Sequence, residues 1–199
     1  MGWLTPLNLR GTYAALEPLS HRRHDELVEA VKDGELWKLW YTFIPSPGKM
    51  REDIDHRLAL QEQGSMLPFA VIDPATNLAV GMTTYMHADA VHKRVEIGST
   101  WYRRQVQRTA LNSECKLMLL RHAFESLDCI AVEFRTHFFN TASRHAIERI
   151  GARLDGILRN HRLSADGTLR DTCVYSIIAA EWPTVRSHLT YQVGRARNP

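Results

Sequence analysis

The chain has no long apolar run. Its mean hydropathy is -0.30, and no stretch has the roughly 20 apolar residues that a spanning helix needs. The opening MGWLTPLNLRG lacks a charged start followed by an apolar core, so no secretory signal is expected. Pro6 stands where a myristoylation motif needs Ser or Thr. There are only three cysteines, Cys115, Cys129 and Cys173, scattered in apolar surroundings. That excludes a disulfide framework and points to reduced thiols and a cytoplasmic location. No Cys/His spacing fits zinc, so no metal is expected. Charge of one sign is also scarce: 25 Lys+Arg against 22 Asp+Glu leaves a net +3. This is too weak for a nucleic-acid-binding face, and it suits an anionic cofactor or an acidic surface. Internal repeats and linkers are missing too.

What is present fits one globular domain. The 199 residues are 44% hydrophobic and 24% charged, enough to bury a substantial core. The domain is expected over residues 1–190, followed by a basic tail over 191–199. Residues 7–10 and 12–18 read as a strand broken at Gly11. Ser20 is positioned to cap a helix running through HRRHDELVEAVKDG, with Gly34 past its end. Residues 35–48 are aromatic and end in Pro-Ser-Pro-Gly, so Trp37, Trp40, Tyr41 and Phe43 are either core or the wall of a mouth. A second helix is expected from Arg51 to Gln63. LPFAVIDP and LAVGMTTYMH read as a strand pair, with ADAVHK as a loop after them. Cys129–His137 alternates as a strand, and ASRHAIERIGA follows as a helix. LDGILRNHRLS and LRDTCVYSII form a hairpin around Ala165-Asp166-Gly167-Thr168. Glu181–Leu189 makes the last helix.

The centre of the chain is Arg94–Leu127. RVEIGSTWY alternates as a strand. RRQVQRTALN is a basic polar turn. SECKLMLLRHAFESL reads as an amphipathic helix, with Leu117, Leu120, Ala123, Phe124 and Leu127 at helical spacing. A strand, a basic turn and a helix in succession bring free backbone N–H groups and a helix N-terminus to one place, where an anion can sit. A solvated basic turn is the plain alternative.

The order of elements, together with EIG-x-TW, QRTALNSE, N-x-x-S, ERIGA, L-x-G-x-L-R and DT-x-x-YSI, resembles the GNAT superfamily of N-acetyltransferases. It is most similar to the RimJ/RimL branch of ribosomal-protein N-terminal acetyltransferases, over roughly residues 7 to 189. The resemblance implies an α+β fold (α/β mixed). Its centre is a mixed, strongly twisted sheet of about six to seven strands with helices on both faces. It implies an enzyme that moves an acetyl group from acetyl-CoA to a primary amine by direct attack in a ternary complex. The acceptor is a protein N-terminal α-amine or a small amine or amino-acid-like metabolite. A catalytically silent acyl-CoA-binding module is the alternative. No membrane or nucleic-acid partner is implied, and a homodimer is left open.

The family's pyrophosphate motif falls on Gln107, Arg108, Thr109, Ala110, Leu111 and Asn112, where Ala110 and Asn112 replace its glycines. Arg103 and Arg104 join Arg108 as phosphate partners. The resemblance places the pantetheine arm between the strand end Ser99–Tyr102 (Ser99, Trp101 and Tyr102 on the cofactor side) and the strand Ile130–His137. Asn140 and Ser143 match Asn-x-x-Ser. Glu96 is the candidate base. The family's usual Tyr acid is replaced by Ile147, so Ser143 inherits that role, with Tyr175 as a second candidate. The acceptor would lie under Trp37, Trp40 and Tyr41, near Tyr85, His87 and His161.

Overall fold

The computed structural model describes residues 3–164 and 166–195. Eight strands form one sheet in the order β1-β2-β3-β4-β5-β6-β8-β7. The strand expected to break at Gly11 becomes two, β1 (Leu9–Arg10) and β2 (Ala15–Pro18), and this raises the count above six to seven. A tight turn joins them, with the Gly11 N–H donating to the Ala14 carbonyl at 2.8 Å. The hairpin β3 (Met66–Asp73) and β4 (Leu78–Asp89) continues antiparallel into β5 (Arg94–Tyr102). β6 (Ala131–His137) then lies parallel to β5, and β8 (Leu169–Ile178) and β7 (Arg153–Leu163) close the far edge antiparallel. A parallel step needs a crossover, and α3 (Ala110–Arg121) with the π turn His122–Ser126 supplies it.

Alternation along the strands divides the core into two layers. On one face Phe69, Tyr85, Val95, Ile97, Val132, Phe134 and Tyr175 pack against α3, α4 (Thr141–Arg149) and α5 (Trp182–Arg195). On the other, Ala70, Ile72, Met82 and Trp101 pack against α1 (His24–Lys32) and α2 (Met50–Glu62). Leu27, Ala30 and Val31 turn inward on α1, and Gly34 at φ +101° ends it, a left-handed position that glycine takes without strain.

Three expectations need correction. The Ser20 side chain makes no capping bond, because a 3-10 turn over His21–Arg23 precedes α1. The last helix runs beyond Leu189 to Arg195, so residues 191–195 of the expected tail are helical and residues 196–199 lie outside the described residues. α3 is not an amphipathic surface helix: it is buried at every position from Leu111 to Leu120 except Asn112. It lies between the sheet and α5, so its polar residues Ser113, Glu114 and Lys116 are buried as well.

Candidate active site

β5 and β6 pair at three positions only, Arg94 with Ala131, Val95 with Val132 and Glu96 with Glu133. Beyond them the two strands run on without pairing, β5 to Tyr102 and β6 to His137. The strands splay, and one backbone edge of each is left open within the sheet. A bulge in β5 marks the opening. The register against β4 slips between Met82 and Thr84, and Ser99 takes φ +48°. Bulges of this kind re-aim a strand and interrupt its pairing.

Buried side chains pin the bulge from both faces. From α2, the Arg57 guanidinium donates to Ser99 Oγ at 2.8 Å and to Thr84 Oγ1 at 3.0 Å, and Asp53 holds it in place at 2.6 Å. From α3, Lys116 Nζ donates to Thr100 Oγ1 at 3.0 Å and to Thr83 Oγ1 at 3.3 Å. Burial lowers the Lys116 ammonium to a pKa of about 8. Relative to an ordinary lysine at 10.5, this disfavours the charged folded state by about 3 kcal/mol at neutral pH. The depressed value means that the penalty is lifted as pH rises through about 8 toward 10.5, where the unfolded chain still holds its proton. Stability is therefore expected to rise across that window. Lys116→Met should abolish the rise and leave the protein at least as stable at pH 7, since Thr83 and Thr100 still bond each other at 2.8 Å. Urea denaturation at stepped pH measures both effects.

The loop after β5 runs straight into the α3 N-terminus. Thr109 caps the helix by accepting from the Leu111 N–H at 3.3 Å. Ala110 and Asn112 are helical, so losing the motif glycines costs the backbone nothing there; the left-handed position is Arg108, at φ +63°. Arg104 and Arg108 are exposed and carry no ion pair among the described residues. Arg103 is paired with Asp33 Oδ2 at 3.1 Å. The Asp33 carboxylate also accepts from the Gln105 N–H at 3.0 Å, and these bonds hold it below the usual carboxylate range, the backbone one most. The Gln107 side chain is bound to the Tyr102 carbonyl at 2.8 Å. Trp101 and Tyr102 bury their side chains in opposite core layers, so only their backbones face the splay. Leu111 is buried and likewise offers only its backbone.

Across the opening, Asn140 Oδ1 accepts from the Ser143 N–H at 3.1 Å and starts α4. The Tyr175 hydroxyl is fully buried between Arg144 at 3.1 Å and Glu148 at 2.9 Å, which removes it as an acid.

The floor on the α1–α2 side is charged. Glu96 is 6% exposed, and its Oε2 lies 2.9 Å from His87 Nδ1 and 3.6 Å from Arg135 Nε. The bond to Glu96 raises the pKa of His87. Trp40 and Tyr41 are brought to this side, with ring centres 5.0 and 6.3 Å from His137, and Phe139 completes the cluster at 5.8 Å. Trp37 stays on the α1–α2 core layer, apart from that cluster. Tyr85 is a correction: it is fully buried on the α3 face, donates to the Leu119 carbonyl, and cannot line an acceptor site. Arg57 and Lys116 escaped the sequence reading, and His137 entered it only as the end of the strand Ile130–His137. Their only signal was a polar residue falling at an inward position.

The residues present suit a coenzyme A thioester. The open strand edges can take an extended amide-bearing arm, and the helix N-terminus with Arg104 and Arg108 can take phosphates. Comparison with known proteins agrees. The profile of the GNAT acetyltransferase domain matches residues 15–153. A Bacillus subtilis protein named "Putative ribosomal N-acetyltransferase YdaF" is 26% identical over 176 residues, covering 86% of this chain and 92% of that one. The crystal structure of a GCN5-related N-acetyltransferase from Brucella melitensis is 27% identical, with a TM-score of 0.85 over 96% of this chain and 86% of that one. RimJ of Mycobacterium smegmatis, solved with CoA-disulfide, shares the fold at a TM-score of 0.77 and 20% identity over 96% and 94% of the two chains.

Proposed function

Since the chain belongs to the GNAT acetyltransferase family and is an acetyl-CoA-dependent N-acetyltransferase, we propose that it acetylates a primary amine by direct transfer in a ternary complex. The splay between β5 and β6 beside the α3 N-terminus carries this reading. Acetyl-CoA, when bound, supplies the activated acetyl group. The open edges of β5 and β6 hold its pantetheine arm, and backbone N–H groups near Ser99 and Trp101 hydrogen-bond the thioester carbonyl, the arrangement that favours developing negative charge there. The α3 N-terminus, Arg104 and Arg108 bind the phosphates. Asn140 caps α4 and bounds the site, and the Ser143 hydroxyl is the proton donor for the leaving thiolate. Glu96 takes the proton from the acceptor ammonium, and its contact with half-exposed His87 offers that proton a way to solvent. Trp40 and Tyr41 wall the acceptor. A protein N-terminus or a small amine fits this arrangement. A cytoplasmic location belongs to the same proposal, supported by three buried, free cysteines.

Calorimetric titration tests the cofactor site. Acetyl-CoA should bind, and coenzyme A lacking the 3′-phosphate should bind more weakly. Arg108→Ala combined with Thr109→Pro should weaken acetyl-CoA by roughly tenfold or more. Equal affinity in all three titrations would remove this loop from the cofactor site.

A further inference from the structure

Among the described residues, two arginines on the acceptor side of the sheet have no acidic partner. Arg162 on β7 and Arg170 on β8 are register partners, so they stand directly opposite on one face. Like charges so placed repel each other. The Arg170 Nε donates to the Thr172 hydroxyl at 3.2 Å, and its guanidinium lies 5.9 Å from the Phe43 ring centre; neither contact neutralises it. The carboxylates nearby are committed elsewhere. Asp171 holds Arg159 and the Asn160 N–H, Glu133 holds Arg94 and Arg135, and Glu96 is shared by His87 and Arg135. Burial first, and the Arg162 charge second, push the Arg170 pKa down. Val95 and Ile97 on β5 and Cys173 and Tyr175 on β8 face the α3 layer, so alternation puts Glu96 and Arg170, with its register partner Arg162, on the opposite face together.

His137 adds an independent sign of a missing ligand. Its Nδ1 accepts from the Phe139 N–H at 3.1 Å, which assigns the ring proton to Nε2. That atom is buried and has no hydrogen-bond partner among the described residues, and the residue is 3% exposed. Burial, then the charge of Arg170, lowers the His137 pKa, which favours the neutral ring. An unpaired buried donor close to the Arg170 guanidinium, which has no counter-charge, calls for an acceptor group that the described residues do not provide.

Resting on the acetyl-transfer reading above, we propose that the acceptor is an amine bearing a nearby carboxylate, which Arg162 and Arg170 clamp while its ammonium faces Glu96. The face is bipolar: a carboxylate stands at the β5 end and guanidiniums at the β7–β8 end. The ligand chemistry is that of a free amino acid, whose α-carboxylate adjoins the amine, or of a peptide with Asp or Glu beside its N-terminus. Neutral amines lack the group that the pair is built to hold.

The test measures coenzyme A release with matched acceptors: amino acids against their amides, and short peptides with Asp or Glu against Asn or Gln at the second position. Acid members are expected to exceed their neutral partners by about thirtyfold in kcat/KM. Arg162→Ala with Arg170→Ala should erase that preference mainly through KM, with acetyl-CoA affinity kept, and Arg170→Lys should restore part of it. The better of the two arms identifies the source of the carboxylate. Neutral acceptors used equally well, or a preference that survives both substitutions, would overturn the inference. So would acetyl-CoA binding without turnover of any acid acceptor, which leaves the cofactor reading intact. Absence of acetyl-CoA binding would instead overturn the cofactor reading and this inference with it.

Discussion

Glu96→Gln is expected to lower turnover by roughly two to four decades while leaving acetyl-CoA affinity within about twofold. The substitution keeps the shape of a side chain that is only 6% exposed and removes its ability to take a proton. It also removes the charge that His87 meets at 2.9 Å, so the His87 pKa should fall back toward its ordinary value of 6.5. In the parent protein a raised pKa means that the stabilisation from this contact is complete below pH 6.5 and fades as pH rises through the folded value. The variant should lose that dependence. Steady-state rates from pH 6 to 9, with an NMR titration of the His87 ring, read both effects. Normal turnover at every pH would take Glu96 out of the mechanism, whatever His87 does.

The largest effect on stability is expected at Glu114, which has no part in the chemistry. Its buried carboxylate accepts from the Thr12, Tyr13 and Ala14 N–H groups at 2.9, 2.5 and 2.8 Å, and so fastens the β1–β2 turn to α3. Hydrogen bonds to a charged group contribute about 1.5–3 kcal/mol each, and orphaned buried donors add to the loss. Glu114→Ala should therefore cost about 4 kcal/mol, a large share of the roughly 5–15 kcal/mol that holds a domain folded. Gln should cost less, because its amide oxygen still accepts although its amide nitrogen opposes a backbone donor. The carboxylate also explains Gly11: a Cβ there would lie 2.3 Å from the Glu114 carboxyl carbon. Urea denaturation with an unchanged m-value measures the loss. A cost below about 1 kcal/mol for the alanine variant would mean that water replaces the three bonds.

The order of elements was readable in advance because it rests on local rules. Gly11 breaks the first strand, and Gly34 ends α1 through backbone freedom. β3 to β5 follow alternation, and α3 follows helical spacing. The turn from β5 into α3, proposed above to take the phosphates, was likewise readable from residues adjacent in the chain. The proposed acceptor side was readable only in part, because its parts come from distant segments: Glu96 on β5 and Trp40 between α1 and α2 were named, while Arg162 on β7 and Arg170 on β8 were not. Tyr85 shows the same limit from the other direction. On a strand buried on both faces, residue type does not say which face a side chain takes, and Tyr85 takes the core side.

By itself, the sequence determined the strand–turn–helix at the centre of the chain and the family to which it belongs, since periodicity and turn residues act over a few positions. Only the tertiary structure decided that α3 is buried all round, that Glu114 and Lys116 work as internal pins, and that Arg162 and Arg170 have no counter-charge among the described residues. Burial and ion pairing depend on which segments the fold brings together, and in an eight-stranded sheet those segments lie far apart in the chain.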